Sequence, residues 1–232
     1  MLIIAHRGAS ALAHHENTLE SFQIAIELHA DMVEFDIRKT KDEELIVFHD
    51  RSLNGKNVSS YTYKEMNEIA ALESYHIPKL SEVLALCKGK IYLDVEIKSE
   101  GIEQRVIDMI TKRYGYTYDS FSIKSFLDDV VLRVKELDGR IRTGLLLGRS
   151  EWTVASRLSE YFPEKRLMKC RADFVAPEYH FVNCLFMARM KKKGYDVDVW
   201  TVNDPARMKK LAKKGVHALI TDRPDVALSL SL

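Results

Sequence analysis

Eight short, apolar, β-branched runs, each followed by a longer helical pattern, set the strongest limit on how this chain can fold. They are LIIAH (2–6), MVEFDI (32–37), IYLDVEI (91–97), SFSIKSF (120–126), TGLLL (143–147), FVAPEY (174–179), VDVWTV (197–202) and HALITD (217–222). Parallel neighbours need a crossover between them, usually a helix, and eight unbroken βα units in 232 residues predict a closed (β/α)₈ TIM barrel. The expectation is an α/β fold with a single domain over residues 1–232, since no Gly/Ser linker or repeat interrupts the chain. A ninth run, LIVFH (45–49), follows the second after only RKTKDEE, too short for a crossover helix. It is expected to be an extra antiparallel hairpin strand turning near Asp42, with Asp36 opposite His49.

The helical segments carry end signals. Asn17, with Glu20 three residues on, is the expected cap of the first helix, whose inner face is Leu19, Phe22, Ala25 and Ile26. Asp204, Pro205 and Gly215 bracket ARMKKLAKK, whose lysines are expected on a solvated face. The three cysteines, Cys87, Cys170 and Cys184, are too few and too scattered for a disulfide framework, and each is read as a small buried hydrophobe.

Charge excludes some partners. Lys and Arg total 35 against 34 Asp and Glu, a net charge of +1, which gives no reason to expect nucleic acid. No apolar run approaches the ~20 residues that span a bilayer. Met1 opens directly on the first strand, with no secretory leader, so the expected compartment is the cytoplasm.

Barrel chemistry sits at the carboxyl ends of the strands, and ionisable residues collect there in this sequence. His6 and Arg7 close the first run. Glu34 and Asp36 lie two apart near the end of the second, so their side chains share a face. Glu96 and Lys98 repeat that spacing at the third. Trp200 and Asn203 close the seventh, and Thr221 and Asp222 the eighth. Any one of these alone is ordinary strand-end polarity. Together, Glu34, Asp36 and Glu96 on one rim would repel one another unless a cation held them, and oxygen ligands suit Mg²⁺ or Ca²⁺. His6 and His49 could join a transition-metal site but more naturally act as acid and base, while Arg7 and Lys98 supply fixed positive charge for an anionic substrate. The combination fits phosphoryl chemistry, and two histidines favour a diester over a monoester.

The motifs AHRGAS, ENTLESF, ADMVEFDIRKTKDEELIVFHD, PKLSEVL, DVEIK, WTVND and GVHALITDRPD, in that order, resemble the glycerophosphodiester phosphodiesterase family nearly end to end. The resemblance implies a metal-dependent barrel enzyme that cleaves a small-molecule glycerophosphodiester to sn-glycerol 3-phosphate and an alcohol. It further implies His6 and His49 as the acid/base pair and Glu34, Asp36 and Glu96 as ligands of one divalent cation. Arg7 and Lys98 would then contact the phosphate, Trp200 would line the substrate side, and Glu16 would support the metal and Arg7. Departures are His15 for the family's usual proline, His29 for a glycine and Asp42-Glu43 for Asp-Gly. The readings weighed against it are a phospholipase-type relative acting on lysolipids or intact lipids, and a non-catalytic barrel that only binds.

Overall fold

The computed structural model describes residues 1–148 and 154–230. The chain opens with β1 (Leu2–Ala5), α1 (Leu19–Glu27), β2 (Met32–Lys39) and β3 (Leu45–Val47). A small excursion follows, made of β4 (Ser52–Leu53), β5 (Lys56–Asn57) and α2 (Tyr63–Leu72), before α3 (Leu80–Cys87) and β6 (Tyr92–Ile97). Next come α4 (Glu103–Asp108), β7 (Phe121–Ser125), α5 (Asp128–Leu137) and β8 (Arg142–Leu147). The last part holds α6 (Val154–Tyr161), α7 (Glu164–Cys170), β9 (Phe174–Pro177), α8 (Cys184–Lys193), β10 (Asp196–Val199), α9 (Pro205–Lys213), β11 (Ala218–Thr221) and α10 (Pro224–Ser229).

β1, β2, β6, β7, β8, β9, β10 and β11 pair in that order, all in parallel, and β1 pairs with both β2 and β11. The ring is therefore closed, as eight βα units require, and closure removes the open sheet edges. β3 lies outside the ring, antiparallel to β2. Its register corrects the expected pairing by one residue. Ile37 faces Val47, and Phe48 N donates to Asp36 O, so Asp36 lies opposite Phe48 rather than His49. The strand stops at Val47, and His49 reaches the rim from the loop beyond it.

The main apolar core lies between the barrel and its helices. Phe22, Phe35, Val95 and Ile97 are among its fully buried members on one side, and Val175, Phe186, Val199 and Leu219 on the other. α1 buries Phe22 and Ala25 as expected, but its cap is Thr18, whose hydroxyl accepts from Ser21 N in a reciprocal box. Asn17 is left for another task. α9 begins at Asp204 and Pro205 as its signals require. Cys87 and Cys170 are buried, the Cys87 thiol being pushed up to about 12 by desolvation; Cys184, read as buried, is instead exposed at the start of α8. His29 (φ 58°) and Glu43 (φ 65°) both adopt left-handed backbone, which accounts for the glycines expected at those two positions. Among the described residues no helix is long and apolar enough to cross a membrane.

Alternate residues of each barrel strand point inward, and here several are charged. Lys124 on β7 is 2% exposed and bonds Asp94 on β6 at 2.6 Å, with Ser122 donating to the other Asp94 oxygen at 2.7 Å. Asp94 lies in register with Ser122, so a single parallel offset satisfies both. Burying a lysine is costly unless it is paired and hydrogen-bonded, and this one is.

Candidate active site

The end of β1 is bent sharply into α1. Arg7 and Asn17 both have φ of 55°, and Asn17 N donates to Arg7 O at 2.9 Å. Ser21 Oγ also donates to Arg7 O. Gly8, at φ 81°, sits so close to α1 that a Cβ would lie 2.3 Å from Ser21 Oγ, so no larger residue fits. The turn therefore delivers His6 and Arg7 to the rim in fixed positions.

Glu34 and Asp36 on β2 and Glu96 on β6 converge there. All three are buried, and one carboxylate oxygen from each lies within 4.8 Å of the others. Asp36 and Glu96 are paired in register between the two strands, so their meeting follows from the sheet itself. Lys98, just beyond β6, places Nζ 2.9 Å from Asp36 Oδ1 and 2.6 Å from Glu96 Oε1. Arg7 Nε lies 3.5 Å from Asp36 Oδ2, while its Nη1 donates to Glu16 at 2.7 Å and its backbone N to Glu34 Oε2 at 3.1 Å. Glu16, the expected supporting residue, thus bonds Arg7. Asn17 Nδ2 donates to Asp36 Oδ2 at 2.8 Å, which is the task its side chain takes instead of capping.

The electrostatics are those of a crowded acidic cluster. Burial pushes the Asp36 carboxyl up, but the neighbouring charges of Lys98, His49 and Arg7 hold it well below the usual range. Glu96 goes the other way, to about 7: burial raises it, Lys98 lowers it, and the adjoining Asp36 and Glu34 charges raise it again. Lys124, 3.6 Å below Glu34, is already committed to Asp94. Three buried carboxylates therefore face Lys98, an Arg7 shared with Glu16 and a Lys124 shared with Asp94. Glu96 Oε1, although 2.6 Å from Lys98 Nζ, and Asn17 Oδ1 both lack a hydrogen bond of acceptable geometry. A cluster with excess negative charge and orphaned buried oxygens fits a hard divalent cation.

The two histidines approach the same cavity. His6 Nδ1 bonds Asp222 Oδ1 at 2.6 Å, and its Nε2 lies 4.0 Å from Glu34. Asp222 is in turn held by Ser10 and Asn203 (3.0 and 2.6 Å), and these contacts and His6 draw its carboxyl down to about 2 although burial opposes them. His49 Nδ1 bonds Asp50 at 2.8 Å, and Arg38 Nε donates to the His49 carbonyl at 2.9 Å. Each imidazole is thus anchored through Nδ1, leaving Nε2 for the pocket. Burial lowers the His49 pKa, Asp36 raises it, and Lys98 and Arg7 lower it further.

His6, Arg7, Glu34, His49, Glu96 and Lys98 line one cavity of about 260 Å³ at the carboxyl ends of the strands. Phe126 and Trp200 form its apolar wall, edge to face at 5.7 Å, with Trp200 Nε1 donating to Ala176 O at 2.8 Å. All nine residues expected at the site meet at or beside this cavity. Sequence reasoning missed Asn17, Lys124 and the anchoring role of Asp222. The available signals were a polar residue directly after Glu16, a lysine inside an apolar run and an aspartate at a strand end.

A closed parallel barrel whose strand ends enclose a cavity lined by carboxylates, imidazoles and cationic side chains belongs to the (β/α)₈ class, whose chemistry sits at that face. Within it the relationship is specific: residues 6–226 match the glycerophosphoryl diester phosphodiesterase family, and the chain belongs to that family. A glycerophosphodiester phosphodiesterase of Caldanaerobacter subterraneus subsp. tengcongensis is 33% identical over 250 residues, covering 99% of this chain and 97% of its own length. A glycerophosphodiester phosphodiesterase from Thermotoga maritima superposes with a TM-score of 0.78 at 26% identity, over 99% of this chain and 98% of its own. An Oleispira antarctica phosphodiesterase, solved in complex with the product sn-glycerol-3-phosphate, shares the fold with a TM-score of 0.83 at 24% identity, over 100% and 96% of the two chains.

Proposed function

We propose that this chain is a cytoplasmic glycerophosphodiester phosphodiesterase that hydrolyses glycerophosphodiesters to sn-glycerol 3-phosphate and an alcohol. The observation that carries this reading is the convergence of two anchored imidazoles, three buried carboxylates and two cationic side chains on one cavity. Family membership and the full-length likeness to enzymes of that name support it. Glu34, Asp36 and Glu96 would hold one divalent cation, Mg²⁺ or Ca²⁺. When bound there, such an ion would supply charge neutralisation for the phosphate.

The chain's own residues do the rest. Arg7 and Lys98 hold non-bridging phosphate oxygens, Arg7 through its planar fork and Lys98 as a point charge beside the carboxylates. His6, fixed by Asp222, and His49, fixed by Asp50, present Nε2 on the substrate. One removes the proton of the attacking oxygen, whether of water directly or of the glycerol 2-hydroxyl in a cyclic phosphate that water then opens, and the other donates a proton to the alcohol oxygen as its bond to phosphorus breaks. Trp200 and Phe126 give the carbon skeleton an apolar wall. The test is hydrolysis across a set of glycerophosphodiesters and lysolipids, with and without Mg²⁺ and Ca²⁺. Release of sn-glycerol 3-phosphate from the water-soluble diesters is expected, and turnover of lysolipids alone would replace this reading with a phospholipase.

The two cations should separate kinetically. Lys98 is bound among the carboxylates and meets an oxygen that gains charge during reaction, so Lys98→Met should lower kcat most. Arg7 grips the ground-state phosphate too, so Arg7→Ala should raise KM as well as lower kcat. Unchanged kcat in Lys98→Met would leave that lysine a structural partner of Asp36 and Glu96.

A further inference from the structure

A second cavity, of about 370 Å³, adjoins the first and shares Lys98 with it. Arg38, Lys39 and Arg51 line it together with the hydroxyls of Ser59 and Ser99, and no carboxylate is among its described lining residues. Part of its positive charge is paired, since Lys98 is held by Asp36 and Glu96. Lys39 pairs with Glu43, but no ion pair engages Arg51 among the described residues. Arg38 uses Nε on the His49 carbonyl, and the carboxylates whose charge reaches it also serve other partners, Asp36 and Glu96 pairing with Lys98 and Asp50 with His49. Arg51 is near enough to Arg38 for their charges to oppose each other, which burial of Arg38 aggravates. The arrangement is held in place: Val58 N donates to Arg51 O across the β4–β5 hairpin. The two ammoniums have carboxylate partners, but Arg51 has none among the described residues and lies close enough to Arg38 to repel it, an unfavourable arrangement that an anion relieves.

We infer that this cavity is a second phosphate subsite, which takes a phosphate or phosphodiester carried on the alcohol portion of the substrate. Planar guanidiniums with neighbouring hydroxyls match phosphate oxygens in charge and geometry. The position follows from Lys98, which faces the reacting phosphate on one side and this pocket on the other. Because Lys98 lines both cavities, the substrate proposed to occupy them carries two phosphates joined by one glycerol. The inference rests on the proposed phosphodiesterase activity and adds a preference to it: diesters with an anionic alcohol are chosen over those with a neutral one. In the reaction, water is consumed, the bond from phosphorus to the alcohol oxygen breaks, and the released alcohol keeps its own phosphate.

The test compares 1,3-bis(glycerophospho)glycerol with glycerophosphoglycerol, which lacks the second phosphate. For the wild type, kcat/KM should favour the former by about ten- to a hundredfold, the range expected for hydrogen bonds to a charged group. Arg51→Ala should erase that ratio while leaving glycerophosphoglycerol turnover intact, and Arg51→Lys should restore part of it. Arg51 is exposed and outside the catalytic cavity, so the variant is expected to fold. Calorimetric titration with inorganic phosphate should also find two anion sites, one lost in Arg51→Ala and the other in Arg7→Ala. A ratio near one in the wild type, or one unchanged by Arg51→Ala, overturns the subsite. Phosphate binding at Arg51 without substrate preference overturns it as well, and identifies a site for the free ion. Failure to hydrolyse either diester would refute the proposed activity, and the phosphate titration then decides the cavity separately: loss of one site in Arg51→Ala supports an anion site there, and no loss overturns it.

Discussion

Replacing His6 or His49 by alanine is expected to lower turnover of a glycerophosphodiester by ~10²–10⁴-fold, the usual contribution of one general acid or base. Substrate binding should change little, because neither ring is the principal holder of the phosphate. The expectation is equal in kind for both residues because both are anchored alike, His6 by Asp222 and His49 by Asp50, with Nε2 left for the reacting atoms. The anchors offer a graded control. Asp222→Asn keeps the side chain's shape but removes the charge that fixes the His6 tautomer, so it should lower kcat by less than loss of His6 itself. The measurement is steady-state kcat and KM for each variant, with thermal unfolding to confirm the fold. Near-normal kcat in His49→Ala would reduce that residue to a loop histidine held by Arg38 and Asp50.

Removing divalent ions is expected to bring activity to background, with recovery on adding back Mg²⁺ or Ca²⁺. Asp36→Ala should do the same irreversibly. Asp36 is 1% exposed and touches Lys98, Arg7 and Asn17, so it is central both to the carboxylate cluster and to the two cations proposed to hold phosphate. Asp36→Asn is the gentler variant, because it retains an oxygen and the volume while removing the charge. Metal binding can be read independently of turnover as a rise in melting temperature with added ion, since a ligand that binds only the folded state stabilises it. The wild type should show this rise and both variants should lose most of it. Full activity in the presence of excess chelator would exclude a cation at Glu34, Asp36 and Glu96.

The local pattern of the chain was enough for much of this architecture. Eight apolar runs separated by helical periods leave a parallel sheet little alternative to closing on itself, and residue types at strand ends report which face carries chemistry. Glu34 and Asp36 could be placed on one face because the two-residue period of a strand is local, and Glu96 on the same rim because the carboxyl ends of barrel strands converge. Asp204 and Pro205 marked the start of α9 for the same reason.

What escaped depended on register and closure. Asp36 and His49 were expected to face each other, yet the hairpin pairs Asp36 with Phe48, because a turn's geometry shifts register by one without altering composition. Asn17 looked like a cap, but Thr18 takes that place once the turn at Arg7 and Gly8 packs on Ser21. Lys124 inside an apolar run gave no sign that Asp94, 30 residues earlier, would lie beside it on the next strand. Asp222 lies 216 residues from His6 and reaches it only because β11 closes on β1. By itself the sequence determined which side chains the strands present and at which end, since those follow from alternation and propensity. Only the tertiary structure decided which of them touch, because hydrogen-bond partners across a closed barrel are set by strand order and offset, and no local pattern encodes either.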